Sequence, residues 1–200
     1  YGGNSTAVQD QLAADVRHIF STGGAFAATK GSGSVITWGT DDYGGDSHAV
    51  QSQLFSDVQW IYSNDFAFAA VKDTGCVVTW GHGSDGGDSS VVRNELASGV
   101  QHIYGTKGAF AALKFDGSVV TWGDLSFGGD MSAVRDQLAA DVQHVYSTGG
   151  AFAALLVGGR VVTWGDGKQG GDSRQVREQL AGGVSQIAST RAAFAAVKWD

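Results

Sequence analysis

The sequence predicts an all-β fold, a β-propeller or a segment of one, with short helices between the blades. Three observations carry this. A unit with a 42-residue period recurs five times without insertion, each complete unit holds three strand-like stretches parted by glycine turns, and those stretches are apolar on both faces. A small three-stranded sheet cannot bury two apolar faces by itself, so neighbouring units must stack, as blades do around an axis.

The register is kept by four residue types. Gly-Gly pairs begin at Gly2, Gly44, Gly86, Gly128 and Gly170, and Trp-Gly pairs at Trp38, Trp80, Trp122 and Trp164. Phe26, Phe68, Phe110, Phe152 and Phe194 keep the same period, as do Leu12, Leu54, Leu96, Leu138 and Leu180. The chain is read as one repeat domain, 1–200, made of repeats 2–43, 44–85, 86–127, 128–169 and an incomplete 170–200. Its last repeat stops before a third strand, so it reads as a segment of a longer protein.

The third unit shows each element in order. Gly86-Gly87-Asp88-Ser89 is a turn in which Asp88 or Ser89 serves as an N-cap. Val92 and Leu96, four apart, give one apolar stripe on a helix of about two turns, too short to stand without packing. Residues 100–104 form a first strand and 109–114 a second, small except for Phe110. Asp116-Gly117 reads as a two-residue hairpin turn favouring positive φ, and 118–122 is a β-branched third strand ended by Gly123.

Composition narrows the function. The chain has 42% hydrophobic residues, 31 Gly and no Pro, a profile of short strands and tight turns. A net charge of −7 is the wrong sign for a nucleic-acid partner or an anionic lipid surface. No window supplies the run of roughly 18 apolar residues that inserts in a membrane. One cysteine, Cys76, permits neither an internal disulfide nor a multi-cysteine metal site.

The stretch 103–123, reading IYGTKGAFAALKFDGSVVTWG, resembles the repeat of the regulator of chromosome condensation family. The shared pattern is an Ile, a Gly-containing turn, an Ala/Leu strand, Asp-Gly-x-Val and Trp-Gly, and it recurs in the other copies. The compact repeat is similar to the three-stranded blades of beta-lactamase inhibitory protein II and to repeat proteins of unicellular algae. Ala25, Ala67, Ala109, Ala151 and Ala193 stand where the family has His, and Gly-Gly-Asp-Ser replaces its Gly-Gln-Leu-Gly. The resemblance implies a propeller and a binding role. It does not carry over nucleotide exchange, for which no residue here can be matched. Its propellers close with seven blades, so either missing repeats complete the ring or five close it.

Motifs with chemical potential have structural readings beside them. Gly165-Asp166-Gly167-Lys168-Gln169-Gly170 and the stretch 81–86 match a dinucleotide fingerprint, but their outer glycines belong to the repeat. His18, His102 and His144 share one strand position with Trp60 and Gln186, which suits a structural or channel-lining role better than a metal ring. Asn4, Asp46, Asp88, Asp130 and Asp172 suit Asx capping better than calcium, since each repeat supplies one. The repeated Trp residues are expected in blade contacts. No catalytic residue, cofactor site or metal site is assigned, and the chain is expected not to be an enzyme.

The variable positions lie between each Trp-Gly and the next Gly-Gly, on one rim of a ring. They are Thr40-Asp41-Asp42-Tyr43, His82-Gly83-Ser84-Asp85, Asp124-Leu125-Ser126-Phe127 and Asp166-Gly167-Lys168-Gln169. Loops on a rigid scaffold carry function, and Tyr43 and Phe127 are the aromatic type that anchors interfaces. The expected binding rim is therefore Asp41, Asp42, Tyr43, His82, Asp85, Asp124, Leu125, Phe127, Asp166, Lys168 and Gln169. The expected function is a non-catalytic protein-interaction scaffold, an accessory part of a larger assembly. The alternatives are a small-molecule or glycan-binding propeller and an accessory subunit of an algal photosynthetic complex.

Overall fold

A computed structural model describes residues 2–199; Tyr1 and Asp200, the last residue of the incomplete fifth repeat, lie outside the described residues. Four sheets have three antiparallel strands in sequence order. They are β1 (Val16–Ser21), β2 (Ala25–Lys30) and β3 (Val35–Gly39); β4 (Val58–Ser63), β5 (Ala67–Lys72) and β6 (Val77–Gly81); β7 (Val100–Gly105), β8 (Ala109–Lys114) and β9 (Val119–Gly123); and β10 (Val142–Ser147), β11 (Ala151–Leu156) and β12 (Val161–Gly165). The fifth pairs β13 (Val184–Ser189) with β14 (Phe194–Lys198). The chain divides into two compact units, Tyr1–Val100 and Gln101–Asp200.

The middle strands explain why the repeat must stack. In β8, Ala109, Phe110, Ala111 and Ala112 are all fully buried, so both faces of the strand are covered. In the first unit one core joins Ala25 and Ala27 of β2 to Phe68 and Ala70 of β5, with Trp80 and Leu54. In the second unit Ala109 and Ala111 meet Phe152, Ala154 and Trp164 in the same way. Within each unit a blade thus presents an alanine wall to the phenylalanine of the next, and that ring fills the room left by the small side chains. The Phe–Trp pairs stack within a blade, with ring centroids 5.1 Å apart for Phe68–Trp80 and 5.3 Å for Phe152–Trp164.

Two local expectations need correction. The connecting segment is not a two-turn α-helix. It is built of 3-10 turns such as His48–Gln53, Ser90–Val92 and Ser132–Gln137, and the one α-helix among the described residues, α1 (Gln9–Leu12), is a single turn. The side-chain stripe alone does not pull the backbone into an α-helix. Leu96 N–H does reach back to the Val92 carbonyl at 3.1 Å, but the Leu96 carbonyl then turns away to accept from Val77 N–H at 3.0 Å. The outer strand thus claims the acceptor that a longer helix would need.

The hairpin between second and third strands has a three-residue loop, not a two-residue one. Lys114 N–H donates to the Ser118 carbonyl at 2.9 Å and Gly117 N–H to the Lys114 carbonyl at 3.0 Å. Gly117 alone carries a positive φ, 78°, as in a type I turn followed by a glycine bulge. Asp116 stabilises the loop by accepting from Ser118 N–H at 2.9 Å.

Candidate functional site: the rim loops

Each third strand leads into a tight 3-10 turn: Asp41–Tyr43, Gly83–Asp85, Leu125–Phe127 or Gly167–Gln169. The turn closes on Gly44, Gly86, Gly128 or Gly170, all left-handed. At Gly128, with φ 96°, a Cβ would also sit 2.8 Å from the Phe152 ring, so the loop base has room for nothing larger.

A second tie holds the loop from inside. The hydroxyls of Thr22, Thr106 and Thr148 donate to the carbonyls of Tyr43, Phe127 and Gln169 at 2.9, 2.9 and 2.8 Å. Asn64 Nδ2 donates in the same way to the Asp85 carbonyl at 2.6 Å. The same side chains accept from the start of the second strand, Ala109 N–H reaching Thr106 Oγ1 at 3.1 Å and Ala67 N–H reaching Asn64 Oδ1 at 2.8 Å. Sequence reasoning missed these residues, although a Thr or Asn recurring every 42 residues was the available signal. The loop backbones are thereby fixed while their side chains differ.

The eleven expected rim residues divide by position in the loop. In the first unit Asp41 and Asp42 are exposed. Tyr43 packs inward, where a Cβ on Gly24 would lie 2.8 Å from its ring, and its centroid is 5.3 Å from that of Phe66. His82 Nδ1 lies 2.6 Å from Asp85 Oδ2. In the second unit Asp124 Oδ1 accepts from Ser126 N–H at 2.7 Å, Leu125 is 71% exposed, and Phe127 packs against the core. Asp166 accepts from Lys168 N–H at 2.9 Å and from Gln169 Nε2 at 2.8 Å. The Gln169 and Lys168 donors hold its carboxyl below the usual range. Gln169 lies over Gly150, whose Cβ would fall 2.5 Å from its Nε2.

So the fourth loop position, occupied by Tyr43, Asp85, Phe127 and Gln169, is tied inward. The middle positions, among them Asp42, Leu125 and Lys168, face solvent.

The other sequence candidates have structural occupations. Asn4, Asp46, Asp88, Asp130 and Asp172 each accept from the backbone N–H two residues on, the last four at 2.8 to 3.1 Å. This is the Asx turn that starts the 3-10 segment. Among the described residues no group of three or more His, Cys, Asp and Glu is placed to hold a metal. Trp80, Trp122 and Trp164 are buried, and Trp80 Nε1 donates to the Gly44 carbonyl at 3.1 Å. The fingerprint glycines answer to packing, since a Cβ on Gly165 would meet the Gly150 carbonyl at 2.7 Å.

The first strands bear an aromatic ladder in which the Tyr rings are part-buried and the His rings and Trp60 are exposed. In the first unit His18 lies 4.9 Å from Trp60 between ring centroids. In the second, Tyr104 lies 4.5 Å from His102 and 5.3 Å from His144, whose Nδ1 is 3.3 Å from the Tyr104 hydroxyl. Burial pushes the imidazole pKa values of His102 and His144 down, with the neighbouring His144 adding to the effect on His102, and raises the Tyr104 phenol.

No family model matches the chain, and no curated protein does. Among solved structures it is similar to yeast RCC1 (Prp20) in its complex with Kap60, at 16% identity and TM-score 0.56, over 91% of this chain and 53% of that one. It is similar to Prp20p from Saccharomyces cerevisiae at 14% identity and TM-score 0.52, over 76% and 46% of the two chains. The ectodomain of the receptor kinase CR4 from Physcomitrella patens matches at 15% identity and TM-score 0.50, over 88% and 47%. The chain spans about half the length of these structures. The fold is thus that of RCC1-type β-propeller repeats, as the repeat pattern led one to expect.

Proposed function

We propose that this chain is a non-catalytic protein-interaction scaffold, an accessory part of a larger assembly, which meets its partner through the rim loops. One observation carries the reading: loop backbones pinned by Thr22, Asn64, Thr106 and Thr148 present differing middle side chains to solvent. A fixed frame with variable tips lowers the ordering cost of binding. Prp20p has binding properties toward Gsp1p and histones, and yeast RCC1 (Prp20) is seen with Kap60 bound, which supports a binding role for the architecture. The histidines are engaged in contacts of their own, His48 with Asp46, His82 with Asp85 and His144 with Tyr104. No helix among the described residues is long and apolar enough to cross a membrane.

The test is a cross-linking pull-down from the native source with this chain and with a variant whose middle loop residues are all Gly or Ser. A partner captured by the native chain and lost by the folded variant supports the rim. Capture of the same partner by both moves the contact off the rim.

A second reading, a small-molecule or glycan site on the first strands, is favoured by the ladder of His102, Tyr104, His144 and Tyr146. Aromatic rings beside uncharged hydrogen-bonding groups suit a neutral ligand. A sugar that raises the melting temperature and perturbs the Tyr104 and Tyr146 ring signals would favour it.

A further inference from the structure

The third strand ends every complete sheet, so its outer edge pairs with no strand among the described residues. Along β6 the hairpin decides which groups face that edge. Lys72 N–H donates to the Cys76 carbonyl, so the ladder bonds fall on the Ala70–Val78 and Phe68–Trp80 pairs. Val77, Thr79 and Gly81 therefore turn their backbone groups outward. The Leu96 carbonyl takes the Val77 N–H at 3.0 Å. The N–H and C=O of Thr79 and the N–H of Gly81 meet no backbone partner among the described residues.

Beside this edge lies a groove of about 610 Å³, lined by Cys76 and the residues of β6, by part of the His48–Gln53 turn and by residues of the stretch 87–97. Open strand edges are a hazard when flat and prominent, and proteins often guard them with Lys, Pro or a bulge. This edge has neither Lys nor Pro, and it is recessed: Val77 and Thr79 are only 9% and 8% exposed. With Leu96 on the Val77 N–H and Gly87 packed against the Gly81 carbonyl, the free stretch of the edge is short and centred on Thr79, room for one extended segment of a few residues.

The charge of the groove says which chain. Its charged lining residues are Asp46, Asp88 and Arg93. The backbone and side chain of His48 and of Ser90 hold the carboxyls of Asp46 and Asp88 below the usual range, so both are ionised at neutral pH. The smaller groove along β3 shares Asp46 and adds Asp41. The equivalent groove along β12, about 570 Å³, has the opposite balance, with Asp172 bound by Arg174 at 2.6 Å and Arg177 also present. The chain as a whole carries −7.

We propose that the outer edge of β6 is a docking site for an extended, basic segment of another protein, added to the second blade as a fourth strand. Main-chain hydrogen bonds to Thr79 and Gly81 supply the register, and Asp46 and Asp88 select lysine or arginine. The site uses none of the rim side chains and stands or falls apart from the rim reading.

The probe is a short peptide alternating Thr and Val with Lys at each end, acetylated and amidated, titrated into the isotope-labelled chain. Amide shifts at Thr79 and Gly81 are expected, and so is the same binding by the rim-loop variant. N-methylation along the peptide edge that faces β6 should weaken binding at least about tenfold, while methylation of the other edge leaves it unchanged. Replacing the lysines by Glu, or the chain's Asp46→Asn with Asp88→Asn, should weaken it by about tenfold. The Asn variants keep the turn, since Asn4 holds it in the first repeat. The proposal is overturned if the two methylated peptides bind alike, if the Glu peptide binds as well, or if shifts fall elsewhere or nowhere. Concentration-dependent shifts at Thr79 and Gly81 without peptide would assign the edge to a second copy and overturn it too.

Discussion

Asp15, Asp57 and Asp141 hold positive φ angles of 62°, 66° and 66°, a region where L residues are strained, and Gly99 and Gly183 occupy the same place in the other repeats. The bend aims a carbonyl at the hairpin of the same blade, Asp57 accepting from Asp73 N–H at 3.0 Å and Asp141 from Val157 N–H at 2.9 Å. Asp tolerates the conformation better than most residues, and Gly bears no penalty at all. Asp141→Gly should therefore leave urea stability unchanged or slightly higher, and Asp141→Val should lower it by about 1–2 kcal/mol. The ties to the rim loops can be tested the same way. Thr106→Val keeps the shape but strips the Phe127 carbonyl of a donor, at a cost of about 1–3 kcal/mol in chemical denaturation. The sequence showed Asp or Gly at the one position and Thr or Asn at the other. It did not show which N–H the one or which carbonyl the other served, because those partners lie 16 to 21 residues away and are joined only when the blades form.

At the scale of the element, strand positions were legible and loop geometry was less so. The expected second strand of the third repeat matches β8, and the third matches β9 to within a residue. The regular spacing of Phe and Trp with the glycines fixed that much. The stripe of Val92 and Leu96 read as a helix because periodicity registers which side chains face the core, and a 3-10 segment over Ser90–Val92 followed by a turn that buries Leu96 satisfies the same pattern. The hairpin loop is one residue longer than expected because Asp-Gly suits both loop lengths. Packing between blades gives the largest single-site effect: Phe152→Ala, removing a fully buried ring, should cost about 3–5 kcal/mol, read from the unfolding midpoint. Gly128→Ala should also destabilise, by clash with that ring and by strain at φ 96°, and the double variant with Phe152→Ala should lose less than the sum.

For the molecule as a whole, pH integrates many sites. Asp46, Asp88, Asp116, Asp166 and Asp172 all titrate below the ordinary Asp value of 3.8, Asp172 at about 2, because backbone and side-chain donors hold their charged forms. Folded values below unfolded ones mean stability that is present above about pH 4 and lost as pH falls through the folded values. His102 and His144 are also depressed from 6.5, by burial, so the unfolded chain takes up protons first and acidification from about pH 6.5 downward favours unfolding. Both effects have the same sign. A melting-temperature profile should fall in two stages, a shallow one below about pH 6.5 and a steeper one below about pH 4. The double substitution His102→Gln and His144→Gln copies the residue that the fifth repeat already accepts at this place, Gln186. It should flatten the first stage and leave the second.

By itself the sequence determined the unit, its period and its layered character, because a residue needed at the same contact in every blade must return at the same interval. It also located the variable turns that follow each third strand, as the places where the repeat relaxes. The tertiary structure decided which of those loop residues are free. Tyr43, Asp85, Phe127 and Gln169 occupy a slot held by a hydrogen bond from a side chain 21 residues earlier, and the middle residues of the loops are left to solvent. It alone exposed the recessed edge of β6. A strand's outward backbone groups carry no mark in the side-chain pattern, and whether they are covered depends on where the next segment of chain comes to lie.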